Sequence, residues 1–438
     1  MVQRHNEPRP MAGILAAAGL MFGLVTPAPA AAEPEAITVL RNAAEKFCAD
    51  GGGEVRAWAR SLNAQVVKKK AFERGINLMG WRGALRFPGG DEIRYRSFER
   101  KGRMWRLNLE YYARHGGDTL RPVLSTTVGG RCRIGGGRGI RYDSQGRPDR
   151  LEHYDLNFLR IARSEPLNPP VPPGRDPGGV TVALFDAGLN YTLPQFAERL
   201  ARRPDGKALG FDYWDMDDRP FDGNPARSPF APQRHGTEIA SVLLREAPEV
   251  RLLPYRYPRP DMKRMADMVK AADNNGAVIV SMPMGSNRKD DWWAFLSTAN
   301  AHPHMLFVIS AGNNGRDIGQ RPVYPAAFGL ENAIVVTSAD DSGWLARGSN
   351  WGKARVDLMI PAENLWVTRF DGSAGRGSGS SHAVARVAAL AARLLKRNPD
   401  WRAPDLKAAI LERATPAIQP SVSRYGWLPL PPPKADSK

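Results

Sequence analysis

Four stretches in the second half of the chain constrain its fold most. Val180-Thr181-Val182-Ala183-Leu184-Phe185, Ala277–Met282, Met305–Ser310 and Ala333–Ser338 are near-continuous apolar runs. A strand with one wet face alternates apolar and polar residues, so an unbroken run of strand length belongs to a sheet covered on both faces. Helical spacing at Thr237–Arg245 and Met262–Asn274 falls between these runs. Strands alternating with helices predict an α/β unit with a mostly parallel sheet and helices on both faces. Chemistry in such sheets collects at the carboxyl ends of the strands.

Arg376–Leu395, reading RGSGSSHAVARVAALAARLL, adds a second constraint. Ala383, Val387, Leu390, Ala391 and Leu394 recur at helical spacing, so Gly377–Ser381 is a turn running into a buried helix. A serine there places its hydroxyl where free N–H groups and the positive end of the helix dipole favour an anion, which suits a nucleophile. Ser380 or Ser381 would serve equally as a plain N-cap. Partners elsewhere decide between these readings. Asp186 closes the first apolar strand, His235 heads the turn His235-Gly236-Thr237 into a helix, and Asn313 follows a strand in Ser310-Ala311-Gly312-Asn313. An orienting carboxylate, a general base, an oxyanion donor and a nucleophile are the four parts acyl transfer needs.

From about Val180 to Trp427 these phrases, in this order, resemble the subtilisin-like serine proteases (subtilases, peptidase S8 type). Asp186-Ala187-Gly188 is similar to that family's D-[ST]-G, His235-Gly236-Thr237 to its H-G-T-H and Ser310–Asn313 to its A-A-G-N. Gly379–Ala388 is similar to its G-T-S-[MF]-A-x-P-x-V-A. Tyr324-Pro325-Ala326, Ser349–Gly352 and Val356–Pro361 match further family phrases. The resemblance implies the subtilisin-like fold, endopeptidase activity through an acyl-enzyme, protein or peptide substrates and no required cofactor. It assigns Ser381 as nucleophile, His235 as base, Asp186 as the carboxylate that orients His235, and Asn313 with the Ser381 N–H as oxyanion hole. It also implies that Met282, Pro283, Met284 and Gly285 pair with substrate.

The chain departs from the family pattern at several positions. Ala187 replaces a hydroxyl residue beside the aspartate, Glu238 stands where the family often has histidine, and Ala385 replaces a proline. Pro283 removes one N–H from the substrate strand. Relatives often bind calcium, and Asp215–Asp218 and Asp340-Asp341 invite it, but they lack the spacing of a loop site and read as solvated turns. His302 and His304 read as surface residues; no metal ligands are assigned. His382 either lines the cleft or packs.

Upstream, Arg4 and Arg9 precede an apolar run from Ala12 to Val25 and an A-x-A site at Ala28–Ala30 or Ala30–Ala32. Residues 1–32 therefore read as a signal peptide, and the protein as exported, periplasmic or secreted, with no transmembrane segment. Residues 33–164 read as a smaller α+β domain, mostly helical over 36–75 and then an antiparallel sheet of alternating runs such as Arg94–Phe98. The chain carries a net charge of +17, and residues 33–165 hold 26 Lys and Arg against 16 Asp and Glu. That surplus suits an acidic partner or a solvated basic surface. Cys48 and Cys132 are the whole cysteine complement, giving one disulfide or two free thiols. Residues 165–179 read as a stiff Pro-rich linker, 180–427 as the peptidase domain and 428–438 as a disordered tail. Three readings remain: an active endopeptidase, a catalytically silent subtilisin-like peptide-binding protein, and an N-terminal domain that is either accessory or a removable propeptide. Oligomeric state and natural substrate are left open.

Overall fold

The computed structural model describes residues 32–49, 54–74, 77–101, 103–158 and 160–430. Nearly all of the signal-peptide reading, and residues 431–438 of the tail, lie outside them. No helix of the described residues is long and apolar enough to cross a membrane.

The N-terminal unit begins with α1 (Ala32–Ala49) and α2 (Val55–Ser61). Eight strands follow: β1 (Gln65–Arg74), β2 (Asn77–Arg86), β3 (Glu92–Arg100), β4 (Arg103–Arg114), β5 (Leu120–Gly129), β6 (Ile134–Tyr142), β7 (Pro148–Tyr154) and β8 (Ile161–Pro166). Each pairs antiparallel with the next. Period-two alternation sends Ile93, Leu107, Leu109 and Leu124 to one face, where Leu40, Phe47 and Trp58 of the helices bury them. The opposite face carries charge. Cys48 and Cys132 are joined, tying α1 to the β5–β6 turn.

Three sequence expectations need correction. Val66–Lys70 is strand, not helix: Asn63 adopts a left-handed φ of 54° after Leu62, ending α2, and β1 then finds its partners in β2. The Pro-rich segment is fastened along its length instead of spacing two bodies. Leu167 N–H donates to Asp149 O, Tyr191 Oη to Pro169 O and Arg202 Nη2 to Pro172 O. Proline-rich backbone offers carbonyls with few N–H groups to satisfy, so side-chain donors can hold it. The chain also stays packed past 427: Leu428 is buried and its N–H donates to Met359 O.

The second unit comprises β9 (Thr181–Asp186), α3 (Pro194–Ala197), β10 (Phe211–Asp212), α4 (Gly236–Glu246), β11 (Arg251–Arg256), α5 (Met265–Asn274), β12 (Ile279–Met282), α6 (Trp293–Ala301), β13 (Leu306–Ser310) and β14 (Ala333–Ala339). It ends with β15 (Leu358–Pro361), the hairpin β16 (Leu365–Thr368) and β17 (Ala374–Gly377), α7 (Ser380–Arg397) and α8 (Ala403–Leu411). The parallel sheet runs β10-β11-β9-β12-β13-β14-β15. Val182 and Leu184 of β9 face a core shared with α4, α7 and α8, while Ala183 and Phe185 face one shared with α5 and α6. The fold is the α/β architecture that the apolar runs imply.

Within the first of these cores α7 lies against α4, and Arg386 is buried in the contact with 1 % of its side chain exposed. Its Nε meets Glu246 Oε1 at 2.5 Å, and Nη1 donates to Pro361 O. Removing one partner of a buried ion pair leaves an uncompensated charge costing about 3–5 kcal/mol. Glu246→Ala should therefore destabilise the protein by about that amount in urea unfolding. A Glu246→Leu/Arg386→Met double variant, which removes both charges, should recover most of the loss.

Candidate active site

β9 sits between β11 and β12, so the chain leaves it toward one edge of the sheet and later returns to its other side. The crevice at such a switch point opens at the carboxyl end of the strand, where Asp186 lies. Gly236 begins α4 against the turn after β9. A Cβ there would fall 1.9 Å from Gly188 O, so only glycine permits the approach. That approach brings His235 Nδ1 to 2.7 and 2.9 Å from the two oxygens of Asp186. Ala187 N–H donates to Asp186 Oδ1 at 2.6 Å, so the backbone orients the carboxylate where a neighbouring hydroxyl is missing.

Burial opposes the charged imidazolium of His235. The charge and hydrogen bond of Asp186, with Asp222 and Glu238 behind, outweigh it and raise the pKa to about 9. Glu238 is half-buried, not a free surface charge, and burial pushes its carboxyl up against the pull of His235 and Arg369.

Sequence patterns do not single out Asp222. It is fully buried, accepts the His235 N–H at 3.0 Å, and takes the Thr237 N–H and hydroxyl at 3.0 and 2.6 Å. These are the first donors of α4, so Asp222 caps the helix from 13 residues upstream. Local cap patterns cannot reveal a cap at that distance.

The turn into α7 supplies the other half of the site. Gly379 has φ +118°, and the Ser380 N–H and hydroxyl both donate to Asn313 Oδ1 at 3.0 Å. Ser310 Oγ meets Ser380 Oγ at 2.7 Å, completing a relay that fixes the Asn313 amide. With Oδ1 held against the helix, Nδ2 is turned the other way. Ser380 is wholly buried and acts as this amide's holder. The Ser381 hydroxyl donates to Pro283 O at 3.4 Å, and no hydrogen bond joins it to His235 among the described residues. Taking up that bond requires the hydroxyl to leave the carbonyl.

His382 packs, the second of its two readings. A Cβ on Gly377 would lie 2.2 Å from its Nε2, so the ring occupies space that a glycine leaves open. Neither ring nitrogen has a hydrogen-bond partner among the described residues. Met282 is buried in the core and Pro283 is buried beneath Ser381, whereas Met284 is half-buried and Gly285 exposed; Ser286 then bonds Tyr324 in both directions at 2.8 Å. The side chain of Met282 therefore points away from the cleft.

Four of the five aspartates with a calcium-like pattern are already engaged. Asp215 pairs with Arg256, Asp217 accepts from Asn168, Asp218 pairs with Lys207, and Asp340 caps the turn at Ser342 and Trp344. No group of three His, Cys, Asp or Glu able to hold a metal occurs among the described residues. His302 and His304 both face Asp273.

Residues 178–427 match the Subtilase family. The chain belongs to the subtilases. It is 24% identical to a subtilisin of Bacillus sp. (strain TA39) over 54% of this chain and 61% of that one. It is 25% identical to halolysin of Haloferax mediterranei over 48% of this chain and 41% of that one. With alkaline serine exoprotease A of Vibrio alginolyticus it shares 25% identity, over 58% and 45% respectively. This subtilase thus spans roughly two-fifths to three-fifths of the length of these relatives. Among solved structures, a cold adapted subtilisin-like serine proteinase aligns with TM-score 0.47 at 21% identity, over 62% of this chain and 95% of that one.

The buried His382 makes a testable difference to acid stability. Burial, reinforced by nearby His235, lowers its pKa from the ordinary 6.5 to about 4. Between those values the unfolded chain binds the extra proton, so stability present above the ordinary pKa is lost as pH falls toward the folded one. His382→Met should remove this component. Between about pH 7 and about pH 4.5 the unfolding free energy of wild type should fall by up to about 3 kcal/mol more than that of the variant.

Proposed function

We propose that this subtilase is an exported serine endopeptidase, periplasmic or secreted, that hydrolyses peptide bonds through an acyl-enzyme. One observation supports this above the rest: the Asp186–His235 pair stands at the carboxyl end of the sheet, with Ser381 and a braced Asn313 at the first turn of α7. Asp186 holds the Nδ1–H tautomer, leaving Nε2 to accept the Ser381 proton as Oγ attacks the scissile carbonyl. The proton then passes from Nε2 to the leaving amine, and water repeats the sequence to release the acid. Asn313 Nδ2, the Ser381 N–H and the positive end of α7 stabilise the oxyanion. No metal or cofactor enters these steps.

The hydrogen bond of Ser381 to Pro283 O, in place of His235, favours a second reading in which the cleft binds peptide without cleaving it. A fluorophosphonate probe separates the two. Labelling of Ser381, abolished together with casein hydrolysis by Ser381→Ala, is the expected result; correctly folded wild-type protein that stays unlabelled establishes the silent reading. Asn313→Ala should lower turnover by about 10²–10³-fold, the magnitude of an oxyanion-hole donor in a subtilisin, carried over here. Because His235 must be neutral to act as base and its pKa is raised to about 9, kcat/KM should climb with pH along a limb centred near that value.

For residues 33–164 we favour an accessory domain, supported by their disulfide, their own core and their contacts with the peptidase unit. A mature protein whose mass begins near Glu33 is expected. One beginning near Gly178 would make the domain a propeptide.

A further inference from the structure

The face of the N-terminal sheet turned away from α1 and α2 forms a groove of about 1130 Å³. Lys68, Arg82, Arg94, Arg96, Arg106 and Arg138 line it. Its two glutamates are already engaged: Glu92 by Arg86 and Arg94, Glu110 by the hydroxyls of Ser228 and Tyr112. Arg82 stands directly opposite Arg96 in the β2–β3 register, and Lys70 stands opposite Arg82 on its other side. Like charges directly opposite on one face destabilise a sheet. Arg82 has no hydrogen bond or ion pair among the described residues. A sheet holding this row of cations is relieved by an anion that lies across it.

The far wall of the groove comes from the peptidase unit. The segment between Asp222 and His235 dips into the sheet: Phe230 is buried among Tyr112, Ile140 and Leu151, its carbonyl accepts from Arg138 Nη1 at 3.0 Å, and Ser228 donates to Glu110 at 2.6 Å. Gln233 lines the groove two residues before His235. Two residues span at most about 7 Å of backbone, so this part of the groove wall lies within one extended dipeptide of the histidine.

We propose that this groove is an exosite that binds an acidic, extended segment of the polypeptide whose scissile bond lies in the cleft. The inference rests on the peptidase reading for its substrate. From β1 to β6 the groove spans five strand spacings, about 24 Å, or roughly seven residues of extended chain. Continuity with the catalytic loop favours a polypeptide running on from the cleft over a separate anionic polymer.

The test uses the full chain carrying Ser381→Ala and a fluorescein-labelled peptide of alternating glutamate and serine, with its glutamine counterpart as control. Fluorescence anisotropy should show binding of the glutamate peptide alone. The Arg82→Glu/Arg96→Glu double variant should weaken it by about tenfold or more, and added salt should weaken it too. Arg82→Gln/Arg96→Gln, a milder change at these accessible positions, should have an intermediate effect, with circular dichroism confirming the fold. In the Ser381 protein, kcat/KM for a substrate bearing the acidic tract should fall to that of the neutral tract on charge reversal, while a short neutral substrate is cleaved as before. Equal binding of both peptides, binding indifferent to charge reversal, or binding of polygalacturonate without the peptide would each overturn the exosite. Peptide binding by a protein that cleaves nothing would retain the acidic-segment groove and remove the peptidase reading instead.

Discussion

The packing of α4 against α7 is the constraint on which the site depends. His235 stands at the head of one helix and Ser381 in the first turn of the other, and both helices lie in a single apolar layer over the sheet. Alanines at 383, 388, 391 and 240 keep that layer thin, and the Arg386–Glu246 pair locks it within. Interiors packed at this density do not deform continuously, so the separation of His235 and Ser381 is set by core residues that touch neither. Both helix starts also aim their first N–H groups at the same end of the sheet. One is capped by Asp222, and at the other the Ser380 N–H is taken by Asn313 Oδ1.

Polar contacts around the site form two braces with different purposes. Asp186 and Asp222 bring two buried carboxylates to the head of α4, one on the imidazole and one on the backbone, and together they raise the proton affinity of His235. The Ser310–Ser380–Asn313 relay carries no charge, and its effect is orientation of an amide. His382 has no carboxylate partner, so burial and the nearby charge of His235 drive its pKa down whereas its neighbour's rises. Two imidazoles in one site are thus separated in proton affinity by their partners alone.

The N-terminal sheet is joined to this machinery through the segment that ends at His235. Phe230, Arg138, Ser228 and Arg234 connect the two units, with Arg234 pairing with Glu165 and lying over the Phe370 ring. The proline-rich stretch reinforces the attachment: its Leu167 N–H donates to Asp149 O of the N-terminal sheet, while its Pro169 and Pro172 carbonyls accept from Tyr191 and Arg202 of the second unit. A charge surplus visible in composition becomes, once the strands pair, a row of guanidinium groups on one face.

What could be read from sequence alone follows from short-range physics. Unbroken apolar runs declare strands buried on both faces, period-two runs declare a half-exposed sheet, and a glycine-serine turn before an alanine-rich run marks the start of a buried helix. The order of Asp186, His235, Asn313 and Ser381 was likewise legible, because each sits on a local phrase. Folding decided matters that involve distant partners. Val66–Lys70 became strand because β2 was available to pair with it. Ser380 became the holder of the Asn313 amide only when Asn313 arrived from 67 residues away, and Asp222 became a cap only when its chain passed the head of α4. Hydrogen bonds and charge pairs act over a few ångströms in space, whereas sequence patterns record only neighbours along the chain; the residues that hold the site in place belong to the first kind.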